Sequence, residues 1–169
     1  MPELAEVEFF RKQWDAGLGS KVTCVALHRE KRVFRGLDAR RLAAELRGAT
    51  LERSEAGAKQ MLFAFRRGRE QLWLGLHLGM TGKLRVEPRS FSPSRHDHLV
   101  LFQARRALVF TDVRVFGRVL FHKGPEPPEW WTKLPPAVTS PDFTLDLVRA
   151  FLKRRARVAF VQLQVDDVF

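Results

Sequence analysis

Between residues 49 and 122 the chain repeats one pattern: a short apolar run, a polar turn, then another short apolar run. The clearest runs are Gln60-Met61-Leu62-Phe63-Ala64-Phe65, Gln71-Leu72-Trp73-Leu74-Gly75-Leu76, His98-Leu99-Val100-Leu101-Phe102 and Ala107-Leu108-Val109-Phe110. Each is short and bounded by turn residues, so each predicts a β-strand. A strand cannot bury an apolar face alone. Many short strands at this spacing resolve into a sandwich or a barrel, here with two helices packed against it.

The flanks supply the helices. Leu4, Val7, Phe10 and Trp14 recur at helical spacing, predicting an amphipathic helix over 3–16 that ends near Gly17 and Gly19. A strand is expected over 21–29, with Val22, Cys24, Ala26 and His28 alternating against Thr23, Val25 and Leu27. Asp38 caps a second helix carrying Leu42, Ala43 and Leu46, stopped by Gly48. Six prolines in 124–141 read as a linker across the surface. Ser140, Pro141 and Asp142 start a third helix with the stripe Leu145, Val148, Phe151 and Leu152, finishing in the basic cluster Lys153-Arg154-Arg155-Ala156-Arg157. The tail, 158–169, has no partner element and resembles an opened second domain. The expected division is 1–123, 124–141 and 142–169.

Charge narrows the partner. Lys and Arg number 30 against 19 Asp and Glu in 169 residues, a net +11, which favours nucleic acid first and an anionic membrane surface second. The sequence has no transmembrane run and no signal peptide, and its single Cys24 excludes an intrachain disulfide and a cysteine-cluster zinc site. A cytoplasmic protein fits these features.

The opening, Met1-Pro2-Glu3-Leu4-Ala5-Glu6, offers chemistry of its own. With Met1 removed, Pro2 presents a secondary amine. An α-amino group titrates near ~8 against ~10.4 for lysine, so much more of it is nucleophilic at neutral pH. Such amines form Schiff bases with sugar or carbonyl carbons, and proline gives the iminium directly. Glu3 and Glu6 share a helix face beside that amine, one to move protons and the other to orient it. The same residues are also an ordinary helix start, with proline first and acids in the first turn.

Three further places are candidates. Gly79-Met80-Thr81-Gly82 is expected to be a tight loop, with Met80 either exposed at its tip or folded onto the core. Asp112-Val113-Arg114-Val115-Phe116-Gly117 is a second turn, where Arg114 and Phe116 either point out together, as residues that kink DNA do, or Phe116 packs inward. Lys59 stands at a strand mouth, where a lysine is usually solvated. His96-Asp97-His98 is too weak for a metal site, because adjacent strand residues cannot all face one ion. A phosphate contact from His96, with Arg95 beside it, is the better functional expectation.

Met1-Pro2-Glu3-Leu4-Ala5-Glu6-Val7-Glu8, His77-Leu78-Gly79-Met80-Thr81-Gly82, His96-Asp97-His98, Thr111-Asp112 through Phe116-Gly117, and Gly124-Pro125-Glu126-Pro127 together resemble the formamidopyrimidine-DNA glycosylase (Fpg) family of the Fpg/endonuclease VIII superfamily, in order and spacing. The resemblance implies a two-sheet β-sandwich flanked by an N-terminal and a second helix, followed by the start of a helix–two-turn–helix domain. It implies a base-excision repair enzyme, acting as a monomer on damaged double-stranded DNA. Such an enzyme removes 8-oxoguanine and formamidopyrimidines, then cleaves the abasic strand.

Carried over, Pro2 attacks the sugar C1′ and Glu3 is the acid/base. Glu6 supports Pro2, and Lys59 contacts phosphate and assists elimination. Met80 fills the hole left by the flipped nucleotide, Arg114 faces the orphaned cytosine, and Phe116 wedges the neighbouring step. His96 and Arg114 bind phosphate, and Lys153 belongs to the leading helix of the DNA-binding domain. Extruding a base costs a few kcal/mol, which such hole-filling side chains offset in part.

Ala5 stands where the family usually has proline, and Val113 and Val115 stand where proline and arginine are common. The family's Gly-x-Gly-Asn loop and four-cysteine zinc ribbon are not among the 169 residues, so no cofactor is expected in this chain. The alternatives are a non-catalytic damaged-DNA-binding module and an inactive fragment of such an enzyme.

Overall fold

The computed structural model describes residues 2–28, 31–136 and 139–154. Among them eight strands pair into two antiparallel four-stranded sheets. The strands are β1 (Cys24–Leu27), β2 (Thr50–Gly57), β3 (Gln60–Arg67), β4 (Glu70–His77), β5 (Lys83–Pro88), β6 (Asp97–Phe102), β7 (Arg106–Thr111) and β8 (Arg118–Lys123). One sheet is ordered β2-β3-β4-β8 and the other β1-β6-β7-β5. The sheets stay separate, so the fold is the sandwich rather than the barrel.

The two-residue period of a strand sorts each run onto two faces. Met61, Phe63 and Phe65 of β3, Leu72, Leu74 and Leu76 of β4, Leu99 and Leu101 of β6, and Leu108 and Phe110 of β7 share one core. The alternate residues form smaller clusters: Leu62, Ala64 and Trp73 on one sheet, and Val100, Phe102, Ala107 and Val109 on the other. Both faces of the central strands are covered, which explains why their sequences are continuously apolar.

Helices close the two open sides. α1 (Leu4–Gln13) lies against β2 and β5, the edge strands on one side, and continues as a 3-10 turn, Trp14–Gly17. On the other side α2 (Ala39–Leu46) contacts β1, and a 3-10 turn, Arg32–Phe34, contacts β8. Asp38 caps α2 as expected, its carboxylate accepting from the N–H groups of Arg40 (2.9 Å) and Arg41 (3.1 Å). In α1 the expected apolar stripe is only partly buried: Val7 and Trp14 are enclosed, whereas Leu4 in the first turn is exposed.

Two elements differ from expectation in extent. The strand expected over 21–29 is the shorter β1, because the chain changes sheets before it. Val22 exchanges hydrogen bonds with Ala49 and Gly48, whereas the N–H of Thr23 already donates to Phe102. Cys24 is exposed as a result, and Arg29 lies outside the described residues. The third helix is α4 (Leu145–Arg154), which starts at Thr144, whose hydroxyl accepts from the N–H of Leu147 at 3.2 Å. Ser140 instead accepts a turn hydrogen bond from Phe143. Leu145 and Leu152 are exposed, and the side chain of Phe151 and residues 155–169 lie outside the description.

Within the proline-rich segment a one-turn helix, α3 (Glu129–Thr132), lays Trp130 and Trp131 against Leu62, Ala64 and Trp73. Trp130 sits so close to Gly75 that a Cβ there would collide with its ring. The indole N–H of Trp73 donates to the Gly124 carbonyl at 2.9 Å.

Candidate active site

Strand register brings the candidate residues to one end of the sandwich. Gln60 pairs with His77, and His77 pairs with Arg118, so β3 starts, β4 ends and β8 starts on one row. Lys59, the loop after His77 and the turn ending at Gly117 all leave from that row. In the other sheet Lys83 and Asp97 both pair with Thr111, which brings the start of β5, the start of β6 and the end of β7 level.

At this end α1 begins. The Glu3 N–H donates to the Glu6 carboxylate at 2.9 Å, and the Val7 N–H to the Glu3 carbonyl at 2.9 Å, so Glu6 fastens the first turn. Pro2, half-buried, directly precedes it. The Glu3 carboxylate completes the capping box by accepting from the Glu6 N–H, and it also faces Lys59, whose ammonium lies 3.5 Å away. Lys59 is only 5% exposed, not the solvated lysine usual at a strand mouth. It occupies the two-residue loop between Gly57 and Gln60, with φ +61° at Lys59 and +44° at Ala58. Hairpin loops with two left-handed residues are normally filled by Asn-Gly, so an Ala-Lys pair is held there by its surroundings.

Two turns stand beside it. In the β4–β5 turn the Gly82 N–H closes onto the Leu78 carbonyl at 2.9 Å, and Met80 is 47% exposed, at the tip rather than in the core. Gly79, at φ +64°, lies against the other turn, where a Cβ would come within 2.6 Å of the Gly117 nitrogen. In the β7–β8 turn Val115 is held at φ +59° with its side chain toward the core. Its neighbours face out: Arg114 and Phe116 are exposed, with the guanidinium 4.9 Å from the centre of the phenyl ring. Phe116 therefore does not pack inward.

One carboxylate joins the two turns. Asp112 is fully buried and accepts from the Thr81 hydroxyl (2.6 Å), the Gly117 N–H (2.7 Å) and the Arg114 N–H (3.2 Å). Its carbonyl accepts from Nε2 of the buried His98 at 2.7 Å. Burial pushes the His98 pKa down, against the pull of Asp112. No role for Asp112 or Thr81 was read from the sequence. The signal available was an Asp at a strand end whose side chain accepts from the N–H two residues on, a common turn device.

His96 is half-buried, its Nε2 accepting from the Arg95 guanidinium at 2.8 Å and its carbonyl from the Asp112 N–H at 3.0 Å. Asp97 is turned away from it. Burial raises the Asp97 pKa, but hydrogen bonds from Thr111, from the hydroxyl and N–H of Ser94 and from Arg85 outweigh this and hold it at about 2. Arg35 donates to the Gly117 carbonyl at 2.8 Å, and burial together with the nearby Arg118 and Arg32 lowers its pKa. Lys153 is exposed on α4, and among the described residues no hydrogen bond or ion pair joins α4 to this end.

This end of the sandwich therefore holds a carboxylate beside a buried ammonium at a helix start, two protruding turns tipped by Met80 and by Arg114 with Phe116, and a basic margin. It can move protons at Glu3 and receive an anionic ligand with apolar, stackable parts.

Residues 1–119 match the family model for the formamidopyrimidine-DNA glycosylase N-terminal domain. The chain is 40% identical over 126 residues to the formamidopyrimidine-DNA glycosylase of Laribacter hongkongensis, covering 74% of this chain and 45% of the relative. It is 37% identical over 161 residues to that of Xanthomonas campestris pv. campestris, covering 94% and 58%. The structure superposes on Lactococcus lactis Fpg in complex with DNA containing FAPY-dG, with a TM-score of 0.75 and 25% identity over 92% of this chain and 57% of that one. The chain thus spans about half the length of the curated relatives it matches.

Proposed function

The chain belongs to the formamidopyrimidine-DNA glycosylase family, and from that premise we propose that it is the catalytic half of a DNA base-excision repair glycosylase/AP lyase for 8-oxoguanine and formamidopyrimidines. The Pro2 amine, freed by loss of Met1, attacks C1′ of the extruded nucleotide, and the damaged base leaves with its bonding electrons and a proton. The resulting iminium links chain and sugar, with Glu3 protonating the ring oxygen as the sugar opens. Removal of a C2′ proton then expels the 3′ phosphate, cleaving the strand.

Lys59 pairs with Glu3 and faces the phosphate, and Glu6 holds the helix start beneath Pro2. Met80 occupies the vacated space, Arg114 meets the orphaned cytosine, and Phe116 wedges the adjacent step. His96 with Arg95 contacts phosphate. Residues 1–123 form the catalytic sandwich, 124–141 the connection, and 142–169, including Lys153, the beginning of a helical DNA-binding domain. The donor set does not fit the family's four-cysteine zinc site, since Cys24 is the single cysteine. On this reading the protein works in the bacterial cytoplasm, at the nucleoid.

The observation carrying this reading is the Glu3–Lys59 pair on the same strand row as the Met80 and Arg114–Phe116 turns. Borohydride trapping on a duplex with 8-oxoguanine opposite cytosine tests it. We expect a covalent adduct whose mass corresponds to the chain without Met1, and its loss in Pro2→Gly. DNA binding without any adduct, in this chain and in one extended to its relatives' length, would leave only a damaged-DNA-binding module.

A further inference from the structure

Lys59 is met by Glu3 on one side, and the strand that leads into its turn is covered from the other. Gly57, immediately before Ala58, lacks a side chain, and the Trp131 ring and the Leu134 side chain lie within van der Waals reach of where its Cβ would be. A Cβ on Gly57 would lie 3.4 Å from the Trp131 indole and 3.6 Å from the Leu134 side chain. Trp131 is itself fixed. It meets Trp130 edge-on, with centroids 6.4 Å apart at 83°, and Trp130 is seated on Gly75. The Trp131 and Thr132 N–H groups donate to the Pro128 carbonyl, and the Gly124 carbonyl is held by Trp73. The segment is thus strapped across β4 and β3 to the end of β2, one residue from the Ala58–Lys59 loop.

That loop needs support. Ala58 and Lys59 both hold left-handed dihedrals without being glycine, a state that persists only where the surroundings over-determine it. Strand pairing of Gly57 with Gln60 is one constraint, and the Glu3 carboxylate is a second. We propose that Trp131 is the third: a positioning residue that packs on Gly57 and holds the loop in the conformation that buries Lys59 against Glu3. Trp131 meets no reacting atom itself. The catalytic significance of Lys59 rests on the functional reading above, whereas the packing relation can be tested without it.

The experiment is acetic anhydride labelling of the whole chain, read lysine by lysine by mass spectrometry, with the exposed Lys12 and Lys83 as references. Lys59 should label slowest. Trp131→Ala should raise its rate about tenfold by opening the loop locally, while Lys12, Lys83 and amide exchange in β6 and β7 stay unchanged. Trp131→Phe should restore protection. If Trp131→Ala does not fold, Leu134→Ala removes the other group on Gly57 and should raise Lys59 labelling severalfold. Unchanged Lys59 labelling in a folded variant overturns the proposal. So does a rise that appears only together with faster exchange of the core amides, which would mark general loosening. Failed borohydride trapping with Lys59 protection intact would count against the glycosylase reading alone.

Discussion

Ala58, Lys59 and Val115 are the non-glycine residues at positive φ among those described, and all three lie in turns at the candidate site. Each such residue stores about 1–3 kcal/mol of strain. Ala58→Gly removes one of these penalties with little packing lost, so urea denaturation should show a gain of about 0.5–1 kcal/mol. Gly79 is the converse case. Its φ of +64° and its approach to Gly117 leave no place for a Cβ, and Gly79→Ala should cost about 2–4 kcal/mol in the same measurement. Asp97 gives a pH signature. Its carboxyl is held at about 2 from an ordinary 3.8, so its stabilisation is complete above 3.8 and is lost as the pH falls through about 2. Asp97→Asn should therefore cost about 2 kcal/mol at neutral pH and little near pH 2, measured by urea melts across that range.

The turns depend on one another more than on their own sequences. Asp112 satisfies donors from both, so Asp112→Asn sets a new N–H donor against the Gly117 N–H or the Thr81 hydroxyl. A loss of about 2–3 kcal/mol is expected, with faster amide exchange at Gly117 as the local readout. The central strands were legible in the sequence because they are apolar on both faces, and α2 because Asp38 and Gly48 punctuate it. The sheet change at Val22 was not legible, since alternation reports side-chain faces and not which strand receives the hydrogen bonds. Nor was the burial of Lys59, because Ala-Lys is not the chemistry that announces a two-residue hairpin loop. The residues of the candidate site could be nominated from motifs, but the tie through Asp112 could not. Its partner Thr81 lies in another turn, and only the fold brings the two together.

For the whole molecule, on the proposed reading, the excess of 30 basic over 19 acidic residues acts through the phosphate backbone of DNA. With roughly four phosphates neutralised, DNA affinity should fall about a hundredfold between 50 and 200 mM salt, a slope that fluorescence anisotropy titrations would measure. A chain extended to its relatives' length should show a steeper slope. The common strand row beneath Lys59, Met80 and Arg114 has a mechanical corollary on the proposed reading. Three loops that each have one root on a single hydrogen-bonded row have little freedom to splay independently, so accommodation falls to the nucleic acid. Lesions flanked by pliable pyrimidine–purine steps would then be captured faster than identical lesions embedded in stiff A-tracts.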